Sequence, residues 1–328
     1  MTRGRYEAQV LAALGAVELR APDAFLWFGR RETMRAEDGD GPREVLVAGI
    51  AQRLHDDFFS TATPQPRHRC RTAPEPDDDG GAFVRALSQA NGGRGAWQDG
   101  WRLAGPAGDE TLCVARPDGL VLVAPIEAVR ADGARGEGGG TVSVLQPKEL
   151  RGISPGCYVA LGDHGTPQGA ERTGLYWNIA ASGAVTLVAR LTYALNRVGL
   201  PFWLELPAAA ARYGRGDAAI LTLDRPDGAA AIALARPLLR ALGAHLAEPA
   251  PAFTQPLARG LALADQPPGG RRFGEHRCRL LAEAIVAAGE AGARRADERL
   301  AVVREHFAAA EISLDAPYRQ PGSDDAHA

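Results

Sequence analysis

Apolar positions change their spacing several times along the chain, and each change predicts a different element. Val10, Leu11, Leu14 and Val17, and then Val45 through Leu54 to Phe58 and Phe59, describe amphipathic helices separated by a polar acidic turn, so residues 1–63 read as an N-terminal helical segment. Residues 64–81 hold a run of prolines and Asp77-Asp78-Asp79-Gly80-Gly81, the composition of a linker or mobile loop. Phe83 to Ala90 predicts a short helix ended at Asn91-Gly92-Gly93 by a left-handed cap.

From Trp97 the period falls to two. Trp101–Ala104, Leu112–Ala115, Leu120–Pro125, Thr141–Leu145 and Cys157–Leu161 predict short strands of an antiparallel meander. Gly174–Ile179, Pro201–Leu206 and Ala218–Leu223 predict further strands. Ser182 reads as the cap of a helix with Val185, Val188, Leu191, Leu195 and Val198 inside, and Asp227–Leu246 as a long helix. Pro267-Pro268-Gly269-Gly270 then stops the chain before a helix starting near Gly274, whose buried stripe is Cys278, Leu281, Ile285 and Ala288. Sheet and helix mix without strict alternation, which predicts an α+β fold: the helical segment, then a mixed, largely antiparallel sheet packed with helices over residues 82–328.

Composition narrows the function. With 45% hydrophobic and 23% charged residues and a net charge of −3, the chain reads as a globular cytoplasmic protein with no bulk attraction for nucleic acid, so any anion site must be local. No apolar run is long enough to span a membrane. Cys70, Cys113, Cys157 and Cys278 are scattered without zinc or redox spacing, and His68-Arg69-Cys70 has no second cluster, so no metal is expected. Of 37 basic residues only Lys148 is lysine, the one amine side chain able to act as a base, because a guanidinium does not give up its proton.

Candidate chemistry is sparse. Gly152-Ile153-Ser154-Pro155-Gly156 has the letters of a nucleophile elbow, but Pro155 lacks the N–H that would hold an oxyanion, so the segment reads as a turn. The glycine-rich loop at Gly136–Gly140 is followed by a strand and reads as a hairpin connection. The start of the helix near Gly274 gathers free backbone N–H groups, His276, and Arg271, Arg272, Arg277 and Arg279, a phosphate or carboxylate site or an ordinary loop-to-helix junction. Lys148, just after a strand, is either a base held at a sheet edge or a surface lysine paired with Glu149. In Tyr213-Gly214-Arg215-Gly216-Asp217, Arg215 can offer a guanidinium to an anion with Asp217 fixing it.

Seven stretches occur in a telling order: Leu87–Trp101, Pro147–Asp163, Tyr176-Trp177-Asn178, Tyr213–Leu221, Pro251–Pro267, Phe273–Glu283 and Asp315–Asp324. Together they resemble the HopA-type effector family, whose biosynthetic members are lyase components of class V lanthipeptide synthetases and of thioviridamide-like pathways. The resemblance implies a phosphoserine/phosphothreonine lyase that needs no cofactor. Its partners would be a ribosomal precursor peptide, with leader and phosphorylated core, and the Ser/Thr kinase that phosphorylates it. On the chemistry of β-elimination, Lys148 is the expected base and His276 the acid. Arg94, Arg215 and Arg277 are the expected phosphate ligands, and Tyr158, Tyr176, Asn178 and Tyr318 would orient the peptide.

Two positions depart from the family pattern, which has a lysine where this chain has Glu205 and a serine where it has Arg272. Glu205 could replace the base, with Arg272 offsetting its charge near the phosphate. The alternative is a noncatalytic scaffold or substrate-binding subunit of the partner kinase.

Overall fold

The computed structural model describes residues 4–20, 24–32, 41–66, 78–116, 121–131, 141–151 and 156–323. Residues 152–155 of the turn expected at Gly152–Gly156, the loop at Gly136–Gly140 and the His68-Arg69-Cys70 stretch lie outside these residues. Seven helices and three antiparallel sheets are present among the described residues, an α+β fold. No described helix is long and apolar enough to cross a membrane.

The chain starts with α1 (Arg5–Ala16), then β1 (Val17–Arg20), β2 (Ala24–Trp27) and β3 (Arg30–Glu32), and α2 (Pro42–Asp57). The three strands form a small antiparallel sheet inside the stretch expected to be helical. They are three or four residues long, too short for a period of two to stand out from a helical pattern. Helix α3 spans Asp78–Ala90 and so begins before Phe83, within the stretch expected as a loop. The expected left-handed cap after it is displaced: Asn91, Gly92 and Gly93 have ordinary φ, and the chain first turns left-handed at Gly95, φ 88°.

Strands β4 (Ala96–Gly108), β5 (Thr111–Ala115), β6 (Val121–Pro125), β7 (Val129–Ala131) and β8 (Thr141–Gln146) form a five-stranded sheet in the order β6-β5-β4-β8-β7. The expected single meander ends there. Strand β10 (Cys157–Leu161) joins a second, seven-stranded sheet together with β9 (Glu149–Arg151), β11 (Arg172–Trp177), β12 (Trp203–Pro207), β13 (Ala219–Asp224), β14 (Gln255–Ala258) and β15 (Leu261–Gln266). Its order is β14-β15-β11-β13-β12-β10-β9. The pattern above did not include β14, a four-residue edge strand, or β15, where a nearly continuous apolar run hides the alternation of a strand buried on both faces.

Two cores enclose this sheet. On one face α3, α4 (Ala181–Val198) and α5 (Gly228–Leu242) press Leu87, Leu187, Leu191, Ala235 and Leu238 against Leu175, Trp177, Leu204, Leu206 and Leu221. On the other face α6 (Phe273–Glu290) and α7 (Ala296–Ala309), with α1 and α2, cover Tyr176, Ala262 and Ala264. Ser182 does not cap α4. That helix starts after Ala180 with no side-chain cap, and the Ser182 hydroxyl meets Nδ1 of His245 at 3.0 Å instead.

Helix α6 begins at Phe273, with Arg272 extended before it. Gly274 lies against the Phe59 ring, and a Cβ there would come within 2.6–2.8 Å of three ring carbons. Close approach of α6 to the segment after α2 thus requires a glycine. Gly274→Ala should lower stability by about 1–3 kcal/mol through overpacking, read as a fall in the urea midpoint with unchanged slope. An unchanged midpoint would show that Phe59 can move aside.

Candidate functional site

Strand β12 alternates: Leu204 and Leu206 are buried toward α4 and α5, so Trp203, Glu205 and Pro207 point to the other face. Glu205 stands opposite Val159 on β10 and Ile220 on β13, and Ile220 stands opposite Tyr176 on β11. Cross-strand partners share a face, so Glu205, Ile220 and Tyr176 form one row on the α6 side.

The row meets the start of α6. Nη2 of Arg272 donates to both carboxylate oxygens of Glu205, at 2.7 and 3.0 Å. Burial alone would lower the Arg272 pKa, but the Glu205 charge and hydrogen bond outweigh it and hold the guanidinium more firmly protonated. Arg215 reaches the same neighbourhood from the loop before β13. Its Nε and Nη2 make a fork onto Asp217 at 2.6 and 2.7 Å, and Nη2 also donates to the Ser60 hydroxyl at 3.0 Å. Asp217 therefore fixes Arg215 as its spacing suggested. Burial would raise the Asp217 carboxyl, but Arg215 and the Ser60 hydroxyl outweigh it and keep the pKa low. The half-buried Cys157, two residues from Val159, lies in the field of both guanidiniums.

Beneath α6, Tyr176 is 2% exposed and its hydroxyl accepts a hydrogen bond from Gln266 Nε2 at 2.9 Å. Burial pushes its phenol pKa up. Arg277 is fully buried and faces inward. It donates from Nε to the Pro317 carbonyl at 2.7 Å and from Nη2 to the Arg319 carbonyl at 2.6 Å, and it lies over the Phe273 ring. Burial lowers its pKa to about 10. Its Nη1 is 2.6 Å from Nδ1 of His276; arginine can only donate, so His276 is neutral with its proton on Nε2. Burial, then the charges of Arg277 and Arg271, lower the His276 pKa to about 4. Arg279 turns to Glu44 and Glu283, at 2.7 and 3.0 Å. The arginines at this helix start therefore diverge, and Arg272 is the one aimed at the sheet row.

Of the remaining expected residues, Lys148, Tyr158 and Arg94 lie elsewhere. Lys148 Nζ donates to the carbonyls of Ser88 and Asn91, at 2.9 and 3.1 Å, at the C-terminal end of α3 on the opposite face of the sheet. Its charge sits at the negative end of that helix. Tyr158 is buried on the same side, accepts from Asn91 Nδ2 at 3.1 Å and donates to Glu149 Oε2 at 2.7 Å. Glu149 is therefore engaged with Tyr158, and with Ser88 and Arg151 through Oε1. These hydrogen bonds outweigh burial and lower its pKa. The Arg94 side chain is 92% exposed, beside Asp163. Asn178 holds the Pro249 carbonyl at 2.8 Å, and Tyr318 is half-buried at the C-terminal segment against Tyr6.

The structure thus brings Glu205, Arg272, Arg215, Tyr176, His276 and Arg277 to the α6 side. It places Lys148, Tyr158 and Arg94 away from them. Ser60 and Cys157 join the site without a local signal, because only the sheet register and the fold of the segment after α2 put them there. Among the described residues no group of three or more His, Cys, Asp or Glu side chains is placed to hold a metal ion.

This architecture defines an α+β protein whose central sheet presents a carboxylate to a guanidinium at the start of a covering helix, with a second guanidinium on the loop before β13. The chain belongs to the HopA1 effector protein family, which matches residues 150–319, just over half of its length. No curated protein matches it. Among solved structures it is similar to an effector protein of Pseudomonas syringae pv. tomato strain DC3000, at 16% identity and a TM-score of 0.46, covering 76% of this chain and 84% of that one. It is also similar to an effector protein of Pseudomonas syringae pv. syringae strain 61, at 14% identity and a TM-score of 0.44, covering 84% and 90%.

Two outcomes follow from these contacts. Lys148→Met removes a helix-end charge and two hydrogen bonds, and should cost about 1–2 kcal/mol with faster amide exchange in the last turn of α3; unchanged exchange would refute the capping role. For His276 the folded pKa, about 4, lies below the ordinary 6.5, so between these values the unfolded chain takes up the proton more readily. Stability should fall as pH drops from about 6.5 to about 4. Urea midpoints for His276→Asn should lack that part of the slope, and an NMR titration of His276 with a midpoint near 6.5 would contradict it.

Proposed function

We propose that the chain is a cytoplasmic lyase acting on phosphoserine or phosphothreonine in a ribosomally made precursor peptide. The reading draws on the family resemblance, and the observation that carries it is the Glu205–Arg272 pair on one face of the central sheet, with the Arg215–Asp217 pair acting through Asp217 on the same Tyr176. Elimination needs a base at Cα and positive charge at the departing phosphate. A Glu205 oxygen takes the α-proton, the electrons of that C–H bond form the Cα–Cβ double bond, and the Cβ–O bond breaks with its pair leaving on phosphate. Arg272 and Arg215 then face the charge that develops. Dehydroalanine or dehydrobutyrine remains in the peptide, and a kinase acting on the same precursor supplies the phosphorylated residue. No metal or organic cofactor enters these steps.

A second reading, a noncatalytic subunit that holds the phosphorylated peptide for the kinase, is favoured by the engagement of Lys148 and His276 in structural contacts. Mass spectrometry decides between the two. With the partner kinase and the phosphorylated precursor present, the wild-type chain should release phosphate and leave a dehydrated peptide. Glu205→Gln should slow this by about 10²–10⁴-fold, as expected for loss of a general base, while Lys148→Met should stay within a few-fold. Phosphopeptide that binds but is never dehydrated would leave only the noncatalytic subunit.

A further inference from the structure

Arg215 and Arg272 are held differently. Arg215 is forked onto Asp217 and tied to Ser60, with its side chain 34% exposed. Arg272 gives Glu205 a single nitrogen, shared between two oxygens, and its side chain is 47% exposed against 13% for Glu205. The residues before it, Gly269 and Gly270, are both left-handed, at φ 77° and 76°, and no atom would meet a Cβ at either. Glycines of this kind allow the backbone leading into Arg272 to change direction at little steric cost. The Arg272 end of the pair is open to solvent, so an incoming anion can reach its guanidinium without unpacking the sheet around Glu205.

We infer that the Glu205–Arg272 ion pair is a phosphate-operated latch that sets specificity for a phosphate dianion. This rests on the proposed phosphopeptide substrate. With the site empty, Glu205 occupies the guanidinium that the phosphate needs, and Arg272 occupies the carboxylate that the α-proton needs. An arriving phosphate carries more charge and more acceptor oxygens than a carboxylate and takes Arg272 over. Glu205 is released towards Cα in the same exchange. An aspartate or glutamate in the peptide carries no more charge than Glu205 and does not open the pair.

Fluorescence anisotropy on the full chain tests this, using a labelled pentapeptide bearing the methylene phosphonate analogue of phosphoserine, which cannot be eliminated. Glu205→Gln removes the competitor and should tighten binding roughly tenfold or more, and Arg272→Gln should weaken it by a similar factor. Adding Glu205→Gln to Arg272→Gln should then change affinity by less than about threefold, because the latch no longer exists. The aspartate version of the peptide should bind wild type only weakly, and more tightly once Glu205→Gln has removed the competing carboxylate. Thermal melting checks each fold, with Glu205→Ser as the second variant. Unchanged or weaker binding by both Glu205 variants, equal tightening with and without Arg272, or no phosphonate binding by any variant would overturn the latch. If the latch result holds while wild type fails to eliminate phosphate from the phosphoserine peptide, the lyase reading falls and the latch stands.

Discussion

The constraint behind the rest of this structure is the two-residue period of a sheet covered on both faces. Once Leu204 and Leu206 are committed to the core beneath α4 and α5, Glu205 has only the α6 side to occupy. The same rule sends Tyr158 away from Val159 and so away from Glu205. Seven strands in fixed register therefore sort the polar residues of the chain into two groups that cannot mix without slipping a strand. A one-residue slip would bury Glu205 among leucines and expose Leu204, which the two cores forbid.

Helix α6 answers that sorting from above. Its first turn has to reach the sheet row while its body remains packed, and Arg277 allows both. A fully buried guanidinium is costly unless its donors are used, and those of Arg277 go to the carbonyls of Pro317 and Arg319 and to His276. The C-terminal segment is thereby fastened against α6, and Asp265 on β15 adds a backbone bond from its N–H to the Tyr318 carbonyl at 2.8 Å. Arg277 and His276 thus act on the site through the position of α6. The donors of Arg277 are committed in this way, and Nδ1 of His276 is taken by Arg277.

Much of this was legible in the sequence, and what was not has identifiable reasons. The alternation in Trp203–Leu206 marks a strand, and the stripe Cys278, Leu281, Ile285 and Ala288 marks the buried side of α6, which the structure reproduces. The same stripe holds a further message: Arg277 lies four residues before Leu281 and seven before Ala284, on the buried side, so an inward guanidinium was readable there. Arg271 precedes the helix and Arg279 lies at another angle around it, so their proximity in sequence implied a convergence that the geometry does not allow. Lys148 had an edge position that suited a base, but nothing local revealed that the end of α3 would fold onto it. Pairings between distant segments, such as Arg215 with Ser60, depend on topology and leave no trace in either segment alone.

The pairing of Glu205 with Arg272 carries this argument to the chemistry. A glutamate and an arginine at these two positions together bear no net charge. Arg215 is likewise matched by Asp217. Each of these two pairs cancels its own charge, and the positive charge left nearby is that of Arg277, whose donors are committed to the Pro317 and Arg319 carbonyls and to His276. Attraction must come from donors that become available as the phosphate arrives, which happens when one anion takes another's place on a guanidinium. A site of this kind discriminates by the difference between two anions at one cation. That makes the carboxylate of Glu205 the reference against which every incoming group is measured.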